Sequence, residues 1–423
     1  MKRIFILINL IFTLYSCNKE DDTKDKNGIT ISKKALWATA ISIENEVSNN
    51  FMFKPSIIYK NGVLIRTQKN TTDLLQFIDL NDGSIKWQWS DYIEKHEFHG
   101  VNYPFLNANK LTWQADYCNY QINLDNGNTV WKNSSPENYQ YVSSGMENIF
   151  FTSHLVNRNA PIELGGYVVA MDNNTGKPIF KFKPTYDTVG KGSPNDCNWS
   201  YEGFAVPFRK NDSIYNLIKF NDPPLGCAKA RAEWLGLYNY TAKEWVYKRK
   251  KLKNNDITAI TPHPSIIYKD KVYHSNIDNF TCHNLMTGEK AWETSLPSQG
   301  NYFQSAGILV ENDKVYANSD NGQLFCLNAT NGSVLWQIRS SGSSTPLSIL
   351  NGVVYFVGGG DGKLHAVDAE TGNYIWKIES PDKGKNKWAV FSGMCAVVPG
   401  VGSAKGKIVV TTGLNAYCYE AIK

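Results

Sequence analysis

The chain has 423 residues, of which 42% are apolar and only 20% charged, with 12 Trp, 23 Tyr and 32 Gly. That length exceeds what one compact core fills and leaves two domains or one repeating architecture, while an aromatic-rich, weakly charged, Gly-rich composition points to all-β structure with many turns. The formal net charge of +5 includes Lys2 and Arg3 of a segment expected to be removed, and the remainder is too small and too evenly spread for a nucleic-acid binder.

Met1-Lys2-Arg3 is a short positive start, Ile4 to Tyr15 is apolar, and Ser16 precedes Cys17. A charged start, an apolar run too short to span a bilayer and a small residue before the cut define a secretory signal. Leu14-Tyr15-Ser16-Cys17 resembles the bacterial lipobox, in which the Cys becomes the first residue and carries the lipid. Several acyl chains on one residue anchor far more firmly than one. The polar run from Asn18 to Gly28 lacks the apolar surface to order itself and reads as a tether. Its Lys19-Glu20-Asp21-Asp22 resembles the surface-export signal of some Gram-negative lineages. The expected organisation is a signal peptide over 1–16, a lipidated tether over 17–34 and a folded body over 35–423, at the outer membrane and facing either the surface or the periplasm.

From there one unit recurs: alternating β-rich runs, a turn ending in Gly, and an aromatic four residues after that Gly. Gly83 leads to Trp87, Gly127 to Trp131, Gly176 to Phe180, Gly288 to Trp292, Gly332 to Trp336 and Gly372 to Trp376. Thr241-Ala242-Lys243 with Tyr247 is a degenerate copy, and Trp37 fills the same slot with no repeat body before it. The Asp-Gly, Asn-Gly and Thr-Gly turns need positive φ, which Gly supplies without steric cost, and the Asp or Asn four residues before each Gly is placed to accept from backbone donors in its turn. Eight slots, mostly 40 to 50 residues apart, predict eight four-stranded antiparallel blades. The chain ends in Asn415-Ala416-Tyr417-Cys418-Tyr419-Glu420 with no Trp strand to follow, so the strand at Trp37 is expected to complete the last blade and hide both edges. Each aromatic in the slot is expected to be core.

The repeat departs from itself between Phe180 and Tyr247, a gap of 67 residues. The extra length falls in the connection into the fourth blade and in that blade's second-to-third strand loop, which emerge on one face. They carry Cys197 and Cys227, a disulfide candidate in an oxidising compartment. Cys282, Cys326 and Cys418 occupy the slot filled by Ala170 and Ala366 in other copies and read as small buried hydrophobes, and Cys118 and Cys395 also fall in strands. No C-x-x-C and no zinc-spaced Cys/His cluster occurs, so no metal is expected, and the seven His read as surface or loop residues. Asp172-Asn173-Asn174-Thr175-Gly176 is acidic enough to suggest calcium but coincides with the repeat's own turn. Phe53, Tyr103, Tyr141, Trp199, Tyr201, Tyr302, Phe303 and Trp388 lie where segments enter the first strand of a blade. These segments surround one mouth of the central funnel, where aromatics either cap the blade ends or receive a sugar or a peptide.

The repeated Gly-x-x-x-Trp units resemble pyrroloquinoline-quinone (PQQ) repeat propellers over essentially residues 35 to 423. That resemblance implies an eight-bladed ring in which each blade's Trp docks on its neighbour. Size, anchor and repeat type resemble the BamB-like propeller lipoproteins of the outer-membrane barrel-assembly machine, which are scaffolds. The PQQ-dependent dehydrogenases share the architecture, but their adjacent Cys pair and their calcium-binding and catalytic residues have no counterpart here. No cofactor is therefore expected. The reading is a non-enzymatic protein-binding scaffold with an unidentified envelope partner. A surface glycan or small-ligand binder is the alternative, and a quinoprotein a remote third.

Overall fold

The computed structural model describes residues 30–41, 56–69, 72–93, 103–115, 118–134, 139–154, 167–182, 205–222, 232–252, 263–275, 279–296, 307–342, 345–385 and 389–422. Within them the chain is all-β, without helices, and forms eight four-stranded antiparallel blades in a ring. Blade 1 runs Ile57–Tyr59, Gly62–Lys69, Thr72–Asp79 and Ile85–Trp89, and the order repeats through blade 7. First strands of neighbouring blades touch: Tyr139–Met146 of blade 3 contacts both Phe105–Asn107 of blade 2 and Ala205–Lys210 of blade 4. They are therefore innermost. Middle strands such as Val353–Val357 are buried throughout, whereas the outer strand Thr129–Ser134 alternates half-buried and exposed residues.

The last blade closes as the sequence predicts. Trp37–Ala40 pairs antiparallel with Asn415–Glu420, so the two ends of the chain share blade 8. Thr30–Ile31, within the stretch read as tether, adds a fifth strand, parallel to the outer strand Tyr374–Ile378 of blade 7.

The slot aromatics explain how the blades cohere. Each indole reaches into the turn of the next blade and donates to the carbonyl three residues before that turn's Gly. Trp37 donates to Leu80 at 3.0 Å, Trp87 to Leu124 at 3.0 Å, Trp131 to Asn173 at 3.1 Å, Trp292 to Ala329 at 3.0 Å and Trp336 to Ala369 at 3.2 Å. Tyr247 does the same through its hydroxyl, to Leu285 at 3.1 Å. The Gly is needed twice over. Gly332 has φ of +75°, and a Cβ there would sit 2.6 Å from the Trp292 ring. The acidic or amide residue that opens each turn is spent on it: Asp172 accepts from the Asn174 and Thr175 amides at 2.7 and 2.9 Å, the pattern of an Asx turn. Opposite the aromatic slot sit Ala170, Cys282, Cys326, Ala366 and Cys418, all fully buried. Burial pushes the Cys282 thiol to about 11 and those of Cys326 and Cys418 to about 12, so they are packing groups and not nucleophiles.

Two interfaces depart from this rule. Between blades 3 and 4 the ring is Phe180, with no N–H to give, and the Gly position is Lys243 at φ of +60°. The Lys243 ammonium lies 4.3 Å from the Phe180 ring centre and 3.3 Å from that of Tyr240, replacing the lost bond by cation–π contact. Between blades 7 and 8 the turn is cut by the chain ends. There Lys33 reaches over the Trp376 ring at 5.3 Å and donates to the Glu420 carbonyl at 2.5 Å.

Trp336 separates ring packing from hydrogen bonding. Trp336→Phe should lose about 1 kcal/mol, the net worth of one hydrogen bond, and Trp336→Ala ~3–5 kcal/mol, both read by urea unfolding. Equal losses from the two would show that the indole N–H, not the ring, holds the interface.

Candidate functional site

The two faces of the ring are built differently. On one, first and second strands of blades 1 to 7 are joined by two-residue turns whose leading residues, Lys60, Ala108, Glu147, Asn211, Lys269, Asn312 and Asn351, all have φ between 48° and 56°, and those of blade 8 by a longer connection at 399–406. The Gly turns lie on this face too. Charges link neighbouring turns around it: Lys60 with Asp125 at 2.5 Å, Glu147 with Arg209, Lys210 with Asp270 at 2.7 Å, Lys269 with Asp313 at 2.5 Å and Lys314 with Glu370. Such exposed pairs are screened by solvent and add little to stability. This face is closure machinery.

Connections on the other face join second to third strands and one blade to the next. In chain length they run from two residues, at 70–71, to twenty-two, at 183–204. Most of the aromatics expected at the funnel mouth belong to them. Phe53, Trp199, Tyr201, Tyr302, Phe303 and Trp388 fall outside the described residues, as do Cys17, Cys197 and Cys227. Tyr141 lies within the first strand of blade 3.

Tyr103 shows what this mouth does. It enters blade 2, yet its hydroxyl is 3.1 Å from Nδ1 of His263, which enters blade 5. Those blades are three apart in the ring, so the bond spans the funnel. Burial pushes the Tyr103 hydroxyl well above its ordinary range, so it keeps its proton. Gly307, at φ of +67°, lies against the His263 ring, where a Cβ would come within 2.9 Å.

From His263 a polar chain continues into the seam between blades 4 and 5. The Lys219 ammonium donates to the His263 carbonyl at 2.7 Å and faces Glu233 at 4.0 Å. The other oxygen of Glu233 is 3.0 Å from Nε2 of His274. The side chains of Lys219 and Glu233 are wholly buried and that of His274 nearly so. Burial lowers the His274 pKa, with the Glu233 carboxylate opposing and Lys219 reinforcing. His274 is therefore neutral at ordinary pH, and the Lys–Glu pair balances its own charge. Sequence reading placed the histidines at the surface or in loops, but His263, His274, His283 and His365 are all buried. The legible signal was Lys219 itself, a cation inside the apolar run Tyr215-Asn216-Leu217-Ile218-Lys219-Phe220.

A second cluster holds the residue types of a hydrolase triad without its geometry. His365 Nε2 meets Asp361 at 3.0 Å and Nδ1 meets the Tyr374 hydroxyl at 3.3 Å, so both ring nitrogens are occupied. Ser341 Oγ accepts from the Gly360 and Asp361 amides at 3.0 and 2.9 Å. No base is left to activate it, and the cluster latches a loop. In a third, Asp382 is fully buried; burial pushes its carboxyl up, but Asn415, Lys385, Thr412 and Tyr417 together bring it below its usual range.

Residues 277–415 match a family model described as outer membrane protein assembly factor BamB. The match covers the later blades only; over the described chain as a whole, the fold is an eight-bladed β-propeller. No curated protein matches its sequence. Among solved structures it is similar to BamB from Moraxella catarrhalis, at 15% identity and a TM-score of 0.48, over 75% of this chain and 82% of that one. It is also similar to the quinohemoprotein alcohol dehydrogenase from Comamonas testosteroni, at 11% identity and a TM-score of 0.64, over 93% and 78%. A third is Sqt1 from Saccharomyces cerevisiae, at 9% identity and a TM-score of 0.58, over 94% and 100%. At such identities the likeness is one of fold. The described residues do not fit a calcium–quinone site: Glu233, Asp361 and Asp382 point to three separate places, and each is bonded to protein donors.

Two outcomes test the buried polar chain. Lys219→Met strands the Glu233 charge and should cost ~3–5 kcal/mol, whereas Lys219→Met with Glu233→Gln should cost clearly less; additive losses would mean the two residues are not coupled. Acid should also weaken the fold. His283 is held near 4, chiefly by burial, and His274 and His365 are lowered too, while the unfolded chain takes up protons near ~6.5. The unfolded state binds more protons in that window, so stability falls as pH drops from about 6.5 toward 4. A melting temperature that stays flat across this range would refute neutral burial of these rings.

Proposed function

We propose that this protein is a non-enzymatic, lipid-anchored scaffold of the outer membrane that holds a protein partner on the face bearing the long connections. The observation carrying this reading is the division of labour between the faces. One is committed, in seven of the eight blades, to two-residue turns and to blade-to-blade pairs, and the other concentrates the longest connections, the funnel mouth and the Tyr103–His263–Lys219 chain. Binding residues gather on loops positioned by a rigid frame, and a ring closed by repeated docking is such a frame. The description of the family model matched by residues 277–415, an outer membrane assembly factor, supports a protein partner in that membrane. Cys17 would carry the lipid, Cys197 and Cys227 would bridge the two long connections of blade 4, and Trp199, Tyr201 and Trp388 would supply contact area on this face.

A glycan-binding mouth needs aromatic faces open to solvent, and Tyr103 is instead half-buried and bonded to His263. This observation favours the scaffold over the sugar-binding alternative. The three dispersed carboxylates, each bonded to protein donors, likewise favour a scaffold over a quinoprotein.

Crosslinking the lipidated protein in its native membrane, followed by mass spectrometry, should recover a barrel-assembly component or another membrane complex joined to residues of the long connections. Crosslinks confined to the short-turn face, or recovery of the protein alone, would overturn the scaffold reading.

A further inference from the structure

The outer strand of blade 4, Glu244–Lys251, differs from every other outer strand in length and charge. It is eight residues long against four to six in the other blades. It carries Lys248, Arg249, Lys250 and Lys251, whereas no other outer strand holds more than one Lys or Arg. Lys243, in the turn just before it, adds a fifth positive charge, and Glu244 is the strand's one acidic residue. Lys248 and Arg249 are exposed and Lys250 and Lys251 half-buried, with Val246 exposed beside them. The Arg249 guanidinium is seated 4.2 Å from the Trp234 ring centre, and the Lys250 stem packs at the Gly288 turn, so the blade holds these cations along its edge.

A single lysine is enough to blunt a sheet edge against chance pairing, and the other outer strands manage with one or none. Four consecutive cations exceed that need. Among the described residues no strand pairs with the outer edge of Glu244–Lys251, so its backbone donors and acceptors face outward. Blade 7 demonstrates that such an edge in this ring accepts a strand, because Thr30–Ile31 pairs with Lys377 and Ile378 there.

We propose that the outer edge of blade 4 is a docking site for an extended, acidic segment of a partner protein, which adds as a fifth strand. Backbone pairing would supply affinity, the four cations would select carboxylates on alternate residues, and Val246 would receive an apolar side chain. A bilayer is the weaker occupant, since the N-terminal arm leaves the ring at blade 7, three blades away from this wall. The surface is distinct from the long-connection face, so this proposal stands or falls independently of the scaffold's main contact.

The test uses the purified full-length protein and a fluorescent ten-residue peptide alternating Glu and Val, read by anisotropy. The peptide should bind, weaken steeply with salt, and protect the amides of Glu244–Lys251 from hydrogen exchange. Reversing the charges at two positions, K248E with K250E, should weaken it at least about tenfold at an unchanged melting temperature. A peptide N-methylated along one edge, which keeps its charge but cannot pair, should lose as much and needs no protein variant. No binding at ~1 mM, equal binding of the methylated peptide, or retention of phosphatidylglycerol vesicles in place of the peptide would each overturn the proposal.

Discussion

Everything in this ring depends on one contact, an indole of one blade laid on the turn glycine of the next with its N–H given to a carbonyl three residues earlier. A single four-stranded sheet leaves both faces uncovered and cannot bury a core alone. The ring solves this by repetition, and the contact sets the register of each repetition. Ring and glycine are mutually required, because the space occupied by the Trp292 ring is the space a Cβ on Gly332 would need. At one interface both partners differ, as Phe180 faces Lys243 and not a glycine, whereas Tyr247 keeps its glycine, Gly288, and makes the bond through a hydroxyl.

Closure then divides the molecule. The strand ends that carry the Gly turns and the two-residue turns are bound into the blade-to-blade contacts, and the longer connection on that face, at 399–406, lies in blade 8, where the two ends of the chain meet. Connections on the opposite face take no part in the docking and are free to lengthen. The long connections of blades 3 and 4, at 155–166, 183–204 and 223–231, are all there. Variation in length is thus directed to that side by the same constraint that keeps the ring shut.

How far the sequence spoke follows from periodicity. The eight aromatic slots, the Asx-supported turns, the buried Ala/Cys position and the sharing of blade 8 by the two chain ends were all legible, since each recurs or completes a recurrence. Features that occur once were not. Nothing in Lys60, Ala108 or Glu147 announces a left-handed backbone, and only the two-residue closure of a twisted hairpin imposes it. The pairing of Thr30–Ile31 with blade 7 rests on two residues, too few to carry a pattern. The Lys219–Glu233–His274 cluster joins two blades and three strands, and only the lysine within an apolar run hinted at it. Of the funnel aromatics, Tyr103 bonds to a partner, His263, that lies 160 residues away.

The departures are not scattered. Blade 4 has the altered docking pair, with Lys243 in place of glycine, two of the long connections, a buried Lys–Glu pair in its seam with blade 5, and a basic outer strand. Each of these costs something in a repeat architecture: strain at a positive φ, loop-closure entropy, desolvation of two charges and self-repulsion along an edge. The other blades avoid most of these costs with the standard unit, so stability alone gives no reason for blade 4 to carry them together. The proposed docking of a partner would give one, because a partner would have to tell one blade from seven near-copies. A ring of equivalent docking contacts can carry one irregular blade at modest cost, since that blade's two neighbours are held in place by their own contacts around the rest of the circle.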